Sequence, residues 1–206
     1  MNDNSKSLCF LGGTSAVLSG LLMIFLSYWF AFRPEATHDA MHGVSVVMLI
    51  LVVPTVIAAT VLLIKDAKTG ALLGVGFATL WIVLELIAHC SQTAPLKTLH
   101  ALIQETATQE FGDKINLVWQ EWSQALTLIG AFLFSVAALC YGTSLRAWGN
   151  PASAYLLILS AIVFAITFIP GVSFYWHILI RGIAFIFFGG VLVQASREAV
   201  DEEWKA

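Results

Sequence analysis

The stretch AWGNPASAYLLILSAIVFAITFIPGVSFYWHILI, residues 147–180, contains no Asp, Glu, Lys or Arg. One helical crossing of a bilayer takes about 20 apolar residues, so this run is too long for a single pass. Pro170-Gly171 divides it, because proline removes a backbone donor and glycine permits a turn. The reading is one span over 152–169 and another over 172–194. The rival reading has five spans, with the residues around Pro170 re-entering the membrane.

Working outward, charges mark the other helix ends. No charge lies between Lys6 and Arg33, or between Asp39 and Lys65. These intervals predict spans over 11–32 and 43–64. A third span, 70–91, carries one acid, Glu85, and a fourth runs over 121–145. The expected architecture is all-α: a six-helix transmembrane bundle forming one domain over residues 1–206. Uniformly apolar runs of this length fit helices, the form in which a single segment satisfies its own backbone in lipid.

Composition agrees. The chain is 59% hydrophobic and 11% charged, against about 45–50% and 25% in average soluble domains. Mean hydropathy is +0.85. Water could not solvate so much apolar surface. The net charge of −3 and the absence of a basic patch argue against a nucleic-acid partner, and the expected partner is the lipid bilayer. The first apolar stretch, residues 8–32, is far longer than the roughly 7–15 residues of a signal-peptide core, so it is read as a retained span. Cys9, Cys90 and Cys140 are widely spaced and read as small apolar residues rather than a disulfide or zinc set.

Lys and Arg set the orientation. With the N-terminus inside, the inner segments carry Lys6, Lys65, Lys68, Arg146, Arg197 and Lys205. The outer ones carry Arg33, Lys97 and Lys114. The bias favours both termini in the cytoplasm and placement in the cell inner membrane. Between spans three and four, Leu96, Leu99, Ile103, Ala107 and Phe111 recur at helical spacing. They predict a short amphipathic outer helix over 96–111, ended by Gly112-Asp113. Trp29, Trp119, Trp122, Tyr175 and Trp176 suit the membrane interface. Gly12, Ala16 and Gly20, and the Gly70/Gly74 pair, are expected to pack helices within the bundle. Pro54 is expected to kink span two.

The polar residues gather at the outer end. His38 and His42, Glu85 and His89, and His177 and Arg181 are each four apart, one helical turn. A lone charge at the depth of Glu85 or Arg181 costs about 2.5–3.5 kcal/mol, and pairing the two relieves both. Three readings follow. The first is a structural ion pair with interfacial histidines. The second is an outward-facing pocket for a small molecule or lipid, built from Glu85, His89, Glu121, His177 and Arg181 with Trp81, Trp122 and Trp176. The third is a metal or haem site on His42, His89 and His177, since imidazole suits zinc and iron. It would make the chain a membrane enzyme or electron carrier. A structural subunit of a membrane complex is a further alternative. There is no phosphate-binding glycine loop, no complete serine elbow at Gly171-Val-Ser173 and no mid-span lysine. No catalytic residue is assigned.

Two stretches carry a family resemblance. GALLGVGFATLWIVLELIAH, residues 70–89, opens on glycines and ends with an acid. WQEWSQALTLIGAFLFSVAALCYGTSLRA, residues 119–147, follows a polar outer segment. In these stretches and in layout, over about residues 8–197, the chain resembles a bacterial six-span integral membrane family of unknown function. The resemblance implies a bacterial, membrane-embedded protein and no particular activity. His38, His42 and His177 lie outside any pattern it supplies.

Overall fold

The computed structural model describes residues 3–32, 38–93, 98, 101–103 and 109–203. Among the described residues the bounded helices are, in order, α1 Asp3–Phe32, α2 His38–Leu63, α3 Lys68–Ser91, α4 Gln109–Trp148, α5 Pro151–Ile166 and α6 Tyr175–Glu203. No strand occurs among the described residues. Five helices are long and apolar enough to cross a membrane, and α5 is a shorter apolar helix. The fold is therefore all-α and compatible with a multi-pass transmembrane protein.

Each helix packs on its neighbours in sequence, and α1 packs on α6. The six form a closed ring in chain order. The register runs antiparallel, with Gly70 against Ser144 and Gly74 against Tyr141 between α3 and α4, and Gly13 against Gly189 and Gly20 against Gly182 between α1 and α6. One end of the ring gathers Lys6, Lys65, Lys68 and Arg146 (the lysine end). The other gathers His42, His89 and His177 (the histidine end).

Lipid-compatible and core-compatible residues are sorted by helix face. Leu18, Leu21, Ile50, Ile57, Leu73, Leu80, Ile129 and Phe132 point outward. Small polar residues point inward, among them Ser15, Ser19, Ser45, Ser135, Ser153 and Ser160. Four of these hydroxyls donate to carbonyls within their own helix: Ser19 to Ser15 at 2.5 Å, Ser45 to Met41 at 3.0 Å, Ser135 to Ala131 at 2.8 Å and Ser160 to Leu157 at 2.7 Å. A hydroxyl bonded in this way leaves no unsatisfied group in an apolar interior.

Glycine sets the α1–α6 seam. A Cβ on Gly13 would sit 2.7 Å from the Gly189 carbonyl oxygen, and one on Gly20 would sit 2.6 Å from that of Gly182. The two helices therefore touch backbone to backbone. On α3, Gly70 abuts Ser144 and Gly74 abuts the Tyr141 ring on α4, so the Gly70/Gly74 pair packs within the bundle as expected. Of the α1 set, Gly12 abuts Pro54 and Ala58 of α2. Thr55 donates to the Gly12 carbonyl at 3.0 Å. Helix α2 continues through Pro54.

The Pro170-Gly171 break is present. Helix α5 ends at Ile166, and Val172 N–H donates to the Ile169 carbonyl at 3.1 Å across Pro170-Gly171. Gly171 has φ +87°, the conformation a type II turn needs at its third residue. The other end of α5 is built just as locally. Gly149 (φ +99°) closes α4, with Asn150 N–H on the Leu145 carbonyl at 2.9 Å and Gly149 N–H on that of Arg146 at 3.2 Å. This is a Schellman motif. Asn150 then caps α5 through Ser153 N–H at 3.2 Å, ahead of Pro151.

Several helices outrun or fall short of their expected spans: α1 begins at Asp3 rather than 11, α2 at His38 rather than 43, α5 ends at Ile166 rather than 169, and α6 ends at Glu203 rather than 194. Helix α6 begins at Tyr175 rather than 172, because the turn takes up the residues between. Helix α4 begins at Gln109, not 121, and runs straight through Gly112-Asp113. Glycine inside a helix costs only about 1 kcal/mol. Here it also admits Ile103, whose Cγ2 would lie 2.5 Å from a Cβ at position 112. Asp113 lies in the second turn, where an N-terminal helix dipole tolerates an acid. Of the expected amphipathic helix over 96–111, residues 98 and 101–103 are helical and 109–111 belong to α4. Residues 96–97, 99–100 and 104–108 lie outside the described residues.

Candidate functional site

Glu85 sits on the inner face of α3, one turn above Trp81 and one below His89. Arg181 sits on the inner face of α6, one turn below His177. Each is six residues from its helix end, about 9 Å at 1.5 Å per residue. The late start of α6 thus brings the two to equal depth. Arg181 Nη1 lies 3.3 Å from Glu85 Oε1, and both side chains are buried. Helices α3 and α6 themselves have no Cα atoms within 8 Å of each other. The pair therefore reaches across the centre of the ring and ties two opposite helices.

Aromatic rings hold the guanidinium. Its carbon lies 5.2 Å from the Trp81 ring centroid and 4.9 Å from that of Phe134 on α4. Stacking against ring faces stabilises a desolvated cation. Phe185, one turn deeper on α6, is within 6.4 Å of Trp81. Beneath them is a void of about 20 Å³, lined by Trp81, Phe134, Thr55, Val56, Ala78 and Tyr141 among others. Below it, the Tyr141 hydroxyl lies 2.8 Å from Thr60 Oγ1, linking α4 to α2.

His177 is fully buried. Its ring is packed by Phe164, Phe174 and Phe134, with centroids 5.0, 5.4 and 5.8 Å away. Neither ring nitrogen has a protein hydrogen-bond partner, nor does Arg181 Nε or Trp81 Nε1. The large majority of buried side-chain polar atoms are hydrogen-bonded. Four unpaired atoms on three neighbouring inward side chains therefore concentrate unused hydrogen-bonding capacity at one place.

His89 meets a different partner. Its Nδ1 lies 2.8 Å from His42 Nδ1, and the rings are 5.1 Å apart at 43°. The three-histidine set expected from sequence does not converge. Among the described residues, no three His, Cys, Asp or Glu side chains gather as a metal would require. His177 is instead enclosed by phenylalanines. The side chain of His38 and all of His100 lie outside the described residues.

Three residues expected in the pocket are not part of the buried cluster. Glu121, Trp122 and Trp176 are exposed. The α3–α4 register explains the first two. Gly70 faces Ser144, Gly74 faces Tyr141 and Glu85 faces Gly130, so Ser91 is level with about residue 124 of α4. Residues 109–123 project roughly 22 Å beyond the end of α3. Trp176 is one position from His177, a rotation of about 100°, and faces out.

Two residues of the centre were not anticipated. Phe134 lies within an uninterrupted apolar run and carries no periodic signal. Gly130 faces Glu85: a Cβ there would come 2.9 Å from Glu85 Cγ. Its absence is what lets the carboxylate side chain lie between α3 and α4. Family models, curated proteins and solved structures give no match to this chain.

Proposed function

We propose that the chain is a six-span inner-membrane protein, with both termini in the cytoplasm, that binds a small molecule or lipid at its Glu85–Arg181 centre from the outer side. The observation that carries this reading is the set of unpaired polar atoms on Arg181, Trp81 and His177. A purely structural ion pair would need none of them. Arg181 Nε and Trp81 Nε1 are both donors, so they call for an acceptor oxygen. Glu85 and Arg181 neutralise each other, which favours an uncharged acceptor such as a carbonyl, ester or hydroxyl oxygen over a second anion. The phenylalanines around His177 suit an apolar body on the same molecule. Access is from the histidine end, since the aromatic layer of Trp81, Phe134 and Phe185 closes the centre from below.

On this reading α5 is the sixth crossing, beside the five helices long and apolar enough to span a membrane. Helix α5 has 16 residues, about 24 Å against a hydrocarbon core of about 30 Å. Exposed Phe168 and Ile169 extend the apolar path toward the histidine end. The lysine bias supports an outside position for that end.

The test is extraction of the protein in mild detergent and mass spectrometry of what is bound. Trp81→Phe keeps an aromatic face but removes the indole donor and some volume, and it should lower occupancy in protein that still folds. Arg181→Ala should abolish it. If every variant carries the same species at the same occupancy as wild type, the pair is structural and the binding reading fails.

A further inference from the structure

We infer that the outward face of α4 is a coiled-coil seam that pairs with α4 of a second copy of this chain. Phe111, Val118, Ala125, Phe132 and Leu139 recur every seven residues, and Ile115, Trp122, Ile129 and Val136 fall between them. The steps alternate four and three, the 3.5-residue period of a left-handed supercoil, with the first set at d positions and the second at a. This face points away from the ring. Phe111, Val118, Trp122, Ile129, Phe132 and Leu139 are between 42 and 68% exposed, while α3 and α5 pack on Gly130 and Gly142 instead.

Lipid accounts for only part of the seam. Before about residue 124, α4 stands clear of the end of α3. Most residues there are polar, yet Phe111, Ile115, Val118 and Trp122 keep the apolar register. Helix α4 is unbroken from Gln109 to Trp148, so it holds these side chains off the bilayer and in water. Water drives apolar faces together, whereas lipid supplies no such force between helices. The projecting turns therefore carry the drive for pairing, and the crossing continues their register.

A second copy fits this seam. Two copies in one membrane share their orientation, so their α4 helices run parallel about a two-fold axis and like layers meet. Ile115, Ile129 and Val136 put β-branched side chains at a positions, the choice that favours two strands in a parallel coil. No charged residue falls at a or d between 111 and 139. Lys114 and Glu121 flank the seam at g. The e positions they face in a parallel pair, 119 and 126, are a tryptophan and a leucine, so no like charges meet. Arg146, at the next d position, ends the seam and lies 6.0 Å from the Tyr155 ring centroid of its own chain. The six exposed side chains offer roughly 600 Å² per chain, on about 150–250 Å² for a whole aromatic side chain and somewhat less for an aliphatic one. Two copies would bury on the order of 1,200 Å², the lower bound of a stable interface.

Disulfide trapping in native membranes tests this. In a Cys90→Ser background, Val118→Cys at a d position should form a covalent dimer of twice 22.4 kDa under a mild oxidant. Gln120→Cys is also exposed but lies on the opposite side of α4, and it should be trapped at least tenfold less. In mild detergent, Val118→Glu should turn a dimeric mass into a monomeric one while cooperative unfolding persists, because Val118 is 68% exposed in the single chain. The inference is overturned by no trapping at 118, by equal trapping at 118 and 120, or by a cross-linked product of a different mass. None of these outcomes bears on the Glu85–Arg181 centre, which meets α4 on its inner face at Gly130 and Phe134.

Discussion

The Glu85–Arg181 pair behaves as a unit whose halves cannot be removed singly. Arg181→Ala leaves a buried carboxylate against Gly130, and Glu85→Ala leaves a guanidinium held only by Trp81 and Phe134. Each should lower stability by about 3–5 kcal/mol, read as an earlier thermal unfolding midpoint in detergent. The double change Glu85→Leu with Arg181→Met fills the same volume without charge and should recover most of that loss. If the double variant unfolds as early as the singles, something other than an uncompensated charge sets the cost. Gly130→Ala tests the space rather than the charge. The added methyl presses on Glu85 Cγ at 2.9 Å, and forcing such a centre apart costs about 1–3 kcal/mol. The pair itself was legible in the sequence, because two lone charges in apolar helices have few ways to be satisfied. Gly130 and Phe134 were not, because an apolar run such as Ile129-Gly-Ala-Phe-Leu-Phe reads alike on every face.

Helix packing separates glycines that do work from those that do not. Gly13 and Gly189 meet across the α1–α6 seam at backbone contact, whereas a Cβ on Gly190 meets nothing within 4 Å. Gly13→Ala should therefore push two backbones apart and destabilise by about 1–3 kcal/mol. Gly190→Ala, one residue from the seam, should stabilise by about 0.5–1 kcal/mol through helix propensity alone. Opposite signs in thermal unfolding are the expected result, and equal losses would mean that the seam is not where α1 and α6 meet. Element ends were legible where the backbone is chemically constrained, as at Pro170-Gly171. The start of α4 was not. Gly112-Asp113 has the composition of a turn, but Glu110 pairs with Lys114 one turn on, at 2.7 Å, and the helix passes through. Composition marks where a helix can stop, while tertiary contact, here Ile103 on Gly112, decides whether it does.

At the scale of the molecule, a closed ring makes topology a matter of parity, and accessible cysteines can read it. Cys90 is exposed in the last turn of α3, whereas Cys9 is buried and Cys140 partly so, both toward the lysine end. With the histidine end outside, a membrane-impermeant thiol reagent applied to intact cells should label wild-type protein, and Cys90→Ser should remove the signal. In that cysteine-depleted background, Ser173→Cys in the turn before α6 should be labelled from outside. Ala147→Cys, at the end of α4, should be labelled only after permeabilisation. Ser173 and Ala147 are both exposed, so a difference between them reports sidedness rather than burial. The comparison also tests the crossing of α5. Those 16 residues fall about 6 Å short of a full core, and a thinned bilayer or the apolar turn at Phe168 and Ile169 makes up the difference. If positions 147 and 173 are labelled from the same side, α5 does not cross. The ring would then have five spans, and Arg181 would no longer lie at the depth of Glu85 on the outer side.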